Sequence, residues 1–352
     1  MKEKRLKAPG FTVVLINLAS GLVLSILVSV TFGNADISIK NVYQVIICQI
    51  SGRQWFTEFS SGAVHDVVWL IRLPRVLMAA AVGMGLSVCG CVMQAVVKNP
   101  LADPYVLGVS SGAYLGASAA VILGLGAVLG SNSMGIMAFA GAILASFAVM
   151  AISGIGGFQS AARLVLSGMA ISTICSAFAN FLIYIANDRD AITQISYWSM
   201  GSLAPSDWDN MPVTLIIMIL GTAIFWTQYR NLDLMLLGDE TAVTLGTDLR
   251  RSRIAYMLLT AFMVGFAVCC AGMIGFVGLI IPHAMRMVFG TGHKHLIPLC
   301  ALTGGIFLIW ADVACRIILD YAELPIGILI SLIGAPCFIY LMIRSAFGGG
   351  RK

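Results

Sequence analysis

The chain has 352 residues, 59% of them hydrophobic and only 11% charged, with 21 lysines and arginines against 16 aspartates and glutamates. No soluble domain of this length has a core large enough to hide so much apolar surface, so water-soluble folds are excluded and the bilayer must act as solvent. The net charge of +5 follows from orientation in a membrane and calls for no nucleic acid.

A hydrocarbon layer of about 30 Å needs about 20 apolar residues per helical span, with every backbone polar group paired inside the protein. In chain order, continuous apolar runs place spans near residues 11–32, 74–97, 104–127, 134–157, 164–186, 211–229, 254–275, 276–290, 296–319 and 324–343. These runs lack the alternation of barrel strands and are rich in Leu, Ala, Met and Gly, which suits closely packed helices. The expected fold is an all-α membrane protein, one transmembrane domain over residues 1–352 with about ten helices.

Lys2, Lys4, Arg5 and Lys7 precede the first run, which is too long for an export signal and lacks a clear cleavage site; an uncleaved first span is expected. An even number of spans then puts both termini in the cytoplasm. Lys98, Arg163, Arg230, Arg250, Arg251, Arg253, Arg286, Lys294, Arg344, Arg351 and Lys352 join the N-terminal group on the inner side. Only Lys40, Arg53, Arg72, Arg75, Arg189 and Arg316 fall outside, a bias that follows the positive-inside rule.

The first outer loop, 33–73, holds an amphipathic stretch from Ile39 to Ile50 behind a Ser38 cap, with Ile39, Val42, Tyr43, Ile46, Ile47 and Ile50 on one helical face. Arg72 and Arg75 flank Pro74 at the mouth of the second span, where a membrane anchor would also place them. Asn99 to Pro104 forms a sharp inner turn in which Asn and Asp make local bonds. In the fifth span Gly168, Ser172, Ser176 and Asn180 recur at steps of four, a stripe that is either a tight helix contact or a pore wall. The second outer loop, 187–210, mixes aspartates with Tyr197, Trp198 and Trp208, as at a membrane interface.

The inner loop, 230–253, is unusually apolar: Leu232, Leu234, Met235, Leu236, Leu237, Val243 and Leu245 need a cover, which implies a partner protein or the membrane face. The run 276–290 is too short to cross at about 1.5 Å per residue and carries Pro282 in its middle, so a broken or half-buried segment is expected. Asp312 is the carboxylate within a span; Arg316 four residues on offers a neutralising pair on the same face. Glu323 suits the N-terminus of the last span as a cap. The nine cysteines read as small packing residues, and neither a metal site nor a catalytic constellation is expected.

Three blocks carry a resemblance: RLPRVLMAAAVGMGLSVCGCVMQAVVKNPLADPYVLGVSSG over 72–112, GMIGFVGLIIPHAMR over 272–286, and ELPIGILISLIGAP over 323–336. In order and spacing they resemble the FecCD-type permeases, membrane subunits of type II ATP-binding-cassette importers for ferric siderophores, haem and cobalamin. The resemblance covers the chain from Arg72 to Arg344. It implies a homodimer or paired close homologue, two ATPase subunits that bind ATP and Mg below, and an extracytoplasmic substrate-binding protein above. The chain itself has no phosphate loop and would bind no cofactor.

By the same resemblance, Gly238, Asp239, Glu240, Ala242 and Gly246 mark the ATPase-coupling loop, with Glu240, Ala242 and Gly246 matching an E-x-A-x-x-x-G pattern. Arg72, Arg75 and Arg316 would dock carboxylates of the binding protein. The pathway would run between two fifth helices past Gly168, Ser172, Ser176 and Asn180, gated near Ser160, Ala161 and Ala162. Ala161 and Ala162 stand where some relatives carry hydroxyls, a departure that leaves specific polar gating contacts unassigned.

The implied function is the permease subunit of an importer in the cytoplasmic membrane, most simply for a ferric siderophore, with haem or cobalamin as alternatives on the same scaffold. An ion-coupled carrier should show several charges near the midplane, and one Asp beside an Arg is poor support for it. A membrane enzyme should converge polar side chains on a site, and the four histidines are scattered.

Overall fold

The computed structural model describes residues 8–33, 35–51, 60–130, 132–155, 161–238, 242, 244 and 249–348. Among these, helices are the regular structure and no strand occurs. In chain order the longer ones are α1 (Ala8–Ser29), α2 (Ile39–Ser51), α3 (Ala63–Val96), α4 (Val109–Ile122), α5 (Ser133–Ser153), α6 (Ala161–Ala186), α7 (Arg189–Ser199), α8 (Met211–Thr227), α9 (Tyr229–Leu237), α10 (Arg250–Ala271), α11 (Val277–Phe289), α12 (His293–Ile317) and α13 (Ile326–Gly348).

Six of these, α1, α3, α5, α6, α10 and α12, are long and apolar enough to cross a membrane, and α8 with α9 makes a seventh if the 60° bend between them is taken within one span. The apolar helices α4, α11 and Ile326–Tyr340 within α13 are shorter.

The axis of the molecule is α3, whose apolar window is 89% buried against 6% for α1 and 11% for α6. It is enclosed by α8, α10, α11 and α12, while α4 packs on α5 and α6, and α1 lies on α12. Small residues make this possible. A side chain at Gly83 would strike the backbone of Gly304 in α12, and one at Gly90 would strike Gly278 in α11, so at both crossings the helices meet backbone to backbone.

Three of the prolines inside these helices share one solution to the carbonyl each leaves unpaired. Pro282 has no N–H for Gly278 O, four residues back, and the Gln94 amide of α3 donates to it at 3.4 Å. Pro298 likewise frees Lys294 O, which accepts the Trp226 indole N–H at 2.9 Å. Ahead of Pro74 the chain is wound as a π-helix over Asp66–Arg72, with Leu73 N donating to Val68 O. In that register Pro74 would serve Trp69 O, and the Trp208 indole takes its place at 2.7 Å with the two Trp rings 4.8 Å apart.

Several expectations change here. The second span begins at Ala63, ahead of the predicted 74, because the π-segment carries the helix outward. The third shortens to Val109–Ile122 behind a 3-10 turn at Pro104–Leu107 and a left-handed Gly108. Segment 277–289 is a continuous short helix; the break lies ahead of Pro282, at the non-helical stretch ending in Phe276 with φ 64°. In α2 the Ser38 hydroxyl does cap, accepting from Asn41 N at 3.2 Å, but the buried residues are Val42, Val45 and Cys48 while Ile39 and Ile50 are exposed. The buried stripe is turned from the predicted one because the packing of α2 on the π-segment, not its own apolar moment, sets its rotation.

Candidate functional site

At one end of α3 and α12 the three singled-out arginines come together. Arg72 and Arg75 flank Pro74 where the π-wound segment of α3 passes into α-helix and both are buried, and Asp312 and Arg316 share one face of α12. Arg75 Nε donates to Asp312 Oδ1 at 2.9 Å, and Arg75 Nη1 donates to both Glu323 oxygens at 2.9 and 2.8 Å. Arg316 Nε lies 3.1 Å from Asp312 Oδ2 without the alignment of a hydrogen bond, and its Nη1 donates to Phe32 O at 2.7 Å. Arg72 gives its guanidinium to Val30 O, Thr31 O and Ala35 O, the last at 2.6 Å.

Three cations here face two carboxylates, so the cluster carries one surplus positive charge. Asp312 is 1% exposed and Glu323 41%, so one carboxylate is sealed in and the other meets solvent. Arg316 Nη2 is buried with no partner. Gly33, Ala35, Val67 and Ile71 complete a cleft of about 120 Å³ lined by all three arginines and Glu323. Such a cleft is suited to an incoming carboxylate, which would take up the surplus charge.

Two sequence expectations are refined by this geometry. The Asp312–Arg316 contact is present, but Arg75, distant in sequence, is the better-aligned partner of Asp312. Glu323, expected as a helix cap, spends its carboxylate on Arg75, whose charge outcompetes the partial charge of a helix end.

At the opposite end of the same two helices lies the inner loop. Leu232 and Met235 of α9 are fully buried, so part of the apolar run is covered by the chain's own α3 and α12. Leu237 remains 61% exposed, Gly238 stands at φ 106°, and Ala242 is buried. Asp239, Glu240 and Gly246 lie outside the described residues, as does Ser160. His293, missed by the sequence reading, is fully buried at the start of α12 and bound to Asp233 of α9.

Between these loops, the turn before α4 behaves as expected: Asn99 Oδ1 accepts Leu101 N and Asp103 Oδ1 accepts Tyr105 N, each at 2.9 Å. Burial pushes the Asp103 carboxyl up to about 6 against the opposing effect of that backbone bond. The Tyr105 hydroxyl donates to Ile274 O at 3.1 Å, tying this turn to the non-helical stretch before α11.

On α6 the four-step stripe does not lie on one kind of surface. Gly168 is buried, Ser172 and Ser176 are half-buried, and Asn180 is exposed, so the stripe leaves the α4 contact and emerges along the helix. Ala161 is half-buried and Ala162 exposed. The open face of α6 carries Met169, Phe178, Phe181 and Tyr184, at 63%, 58%, 57% and 84% exposure.

A bundle of apolar helices, six or seven of them long enough to cross a membrane, with a charged cleft at one end, defines a multi-pass helical membrane protein. Residues 21–344 match the FecCD transport family, and the chain belongs to it. It is 42% identical over 276 residues to the cobalamin import system permease protein BtuC of Halobacterium salinarum, covering 78% of this chain and 73% of that protein. It is 40% identical over 293 residues to the hemin transport system permease protein HmuU of Yersinia pestis, covering 82% and 86% of the two. A solved metal-chelate type ABC transporter in an inward-facing conformation superposes with a TM-score of 0.78 at 31% identity, covering 94% of this chain and 99% of the other. The chain is thus an ABC transporter permease of the cytoplasmic membrane, and ATP hydrolysis belongs to a separate subunit.

Proposed function

We propose that this chain, paired with a second copy or a close homologue, forms the pathway of a binding-protein-dependent importer of a metal chelate. In this reading ten helices cross the membrane, with α4 and α11 as the short ones, and both termini lie in the cytoplasm. The arginine cleft faces outward and receives carboxylates of the binding protein, while the loop after α9 contacts the ATPase subunits. Gly238, Asp239, Glu240, Ala242 and Gly246 make that contact. The exposed face of α6 forms the seam between the two permeases, and Gly168, Ser172, Ser176 and Asn180, with Ser160, Ala161 and Ala162 near its inner end, border the path.

The observation that carries this reading is the surplus positive cleft at one end of α12, opposite the exposed Leu236 and Leu237 at the end of α9, which packs on α3 and α12 at the other end. An ion-coupled carrier gains nothing from it, since Asp312 is held between two arginines in ion pairs.

A ferric siderophore is the expected cargo from the resemblance. Relatives named for cobalamin and hemin support a macrocyclic chelate as the second reading. The binding protein encoded with this permease decides between them: its melting temperature should rise with one of ferrichrome, haemin or cyanocobalamin. Stabilisation by none of the three rejects the chelate reading. Co-purification with an ATPase subunit, lost when Gly238 and Ala242 are both replaced by Trp, tests the coupling loop.

A further inference from the structure

The start of α12 lacks a local cap. Gly292 stands at its N-cap position and has no side chain to offer the exposed N–H groups of the first turn. Asp233, about sixty residues earlier on α9, fills the role. Its Oδ1 accepts His293 N at 2.9 Å and lies 2.6 Å from His293 Nδ1. A carboxylate at this place also complements the positive end of the α12 dipole. One oxygen therefore caps the helix and holds its first side chain, which is fully buried.

One residue further on, the carbonyl of Lys294 freed by Pro298 accepts the indole N–H of Trp226 on α8. Trp226 and Asp233 lie on either side of the 60° bend between α8 and α9. The elbow is thus fastened to the start of α12 from both arms. From there α12 runs unbroken for 25 residues, about 37 Å, to Asp312 and Arg316 in the outer cleft. Along the way it meets α3 backbone to backbone at Gly83 and Gly304, and Ser87 Oγ donates to Cys300 O at 2.7 Å.

We infer that Asp233 and His293 are positioning residues for transport: they lock α9, and with it the inner loop, to α12, so that displacement of the loop is delivered to the helix that builds the outer cleft. This rests on the coupling role of the loop proposed above. Both residues lie at the opposite end of α12 from the arginine cleft, and His293 is fully buried. The element that carries the motion is α12, a rigid body with one end in each site.

The test uses the complete complex with ATPase subunits and binding protein in lipid nanodiscs. Nitroxide labels are placed at Leu237→Cys and Lys294→Cys, with Cys175, Cys269, Cys270 and Cys337 replaced by Ala. The inter-label distance should be a single narrow distribution with and without Mg-AMP-PNP. Asp233→Ala should broaden it and reduce stimulation of ATP hydrolysis by the binding protein about fivefold or more. Asp233→Asn keeps the acceptor oxygen and should restore both readouts, which a general loss of packing would not. Trp226→Phe removes the second fastening and should broaden the distance independently.

Unchanged distances in both Asp233→Ala and Trp226→Phe would overturn the inference. Broadening with full stimulation would overturn the delivery of motion through this pair. Failure of the loop reading itself looks different: stimulation would then survive Trp at positions 238 and 242 whatever stands at 233.

Discussion

Asp312 sits between two guanidiniums at 1% exposure, and its value to the fold lies in what its loss would strand. Removing one partner of a buried ion pair leaves the others desolvated and uncompensated, at a cost of about 3–5 kcal/mol. Asp312→Ala is therefore expected to lower the melting temperature of the detergent-solubilised protein steeply, with Asp312→Asn intermediate because its oxygen still accepts from Arg75. Equal melting of wild type and Asp312→Ala would show that the cluster contributes nothing. Asp103 makes a second case, with a sign that can be worked out. Its carboxyl is raised from 3.8 to about 6 by burial, so the native state holds the proton more tightly than the unfolded chain. The stabilising effect of that proton is present below about 4 and is lost as pH rises through about 6. Relative to Asp103→Asn, the wild type should lose about 1–2 kcal/mol between pH 4 and 7. Parallel melting profiles across that range would contradict the assignment.

Helices in this molecule are held by backbone approach and by borrowed donors. The Gly90 position faces Gly278, whose carbonyl is the one left by Pro282 and taken by Gln94, so space and hydrogen bonding are set at one point. A large residue there must drive α3 and α11 apart. Gly90→Leu is expected to destabilise by more than about 3 kcal/mol, beyond ordinary overpacking, because the obstacle is backbone. The readout is the yield of monodisperse protein, which should collapse while an exposed control, Leu123→Ala, stays unaffected. Trp208→Phe should act differently: the ring contact with Trp69 is largely kept, but Trp69 O loses its donor. About 1–2 kcal/mol should be lost, read by melting, and full stability would mean that water serves the carbonyl.

Across the whole molecule, the arginine cleft and the α8–α9 elbow are joined by α3 and α12, and charge governs the cleft end. Arg75 and Arg316 also hold the fold together, so reversing them tests folding along with docking. Glu323 is the cleaner probe, since it is 41% exposed and competes for Arg75. Glu323→Gln enlarges the surplus of positive charge and should speed association of the binding protein about two- to tenfold at low salt, with the gain fading as salt screens it. An unaltered association rate would detach the cleft from docking.

Much of this architecture could be read along the chain. The solvent it needs, the helical character of its spans, the Ser38 cap, the Asn99–Asp103 turn and the Asp312–Arg316 contact all follow from residues at most a few positions apart, where helix and turn geometry dictates who meets whom. Family membership was legible for a similar reason, since it rests on contiguous blocks. The partners of Arg75, the Asp233 cap on α12 and the donors for the carbonyls freed by Pro74, Pro282 and Pro298 could not be read in that way. Each joins side chains on different helices, and their meeting depends on crossing points and rotations set by packing small residues against backbone. A local pattern announces that a proline leaves a carbonyl unpaired; which distant tryptophan or glutamine supplies the missing proton is settled only when the helices have closed on one another.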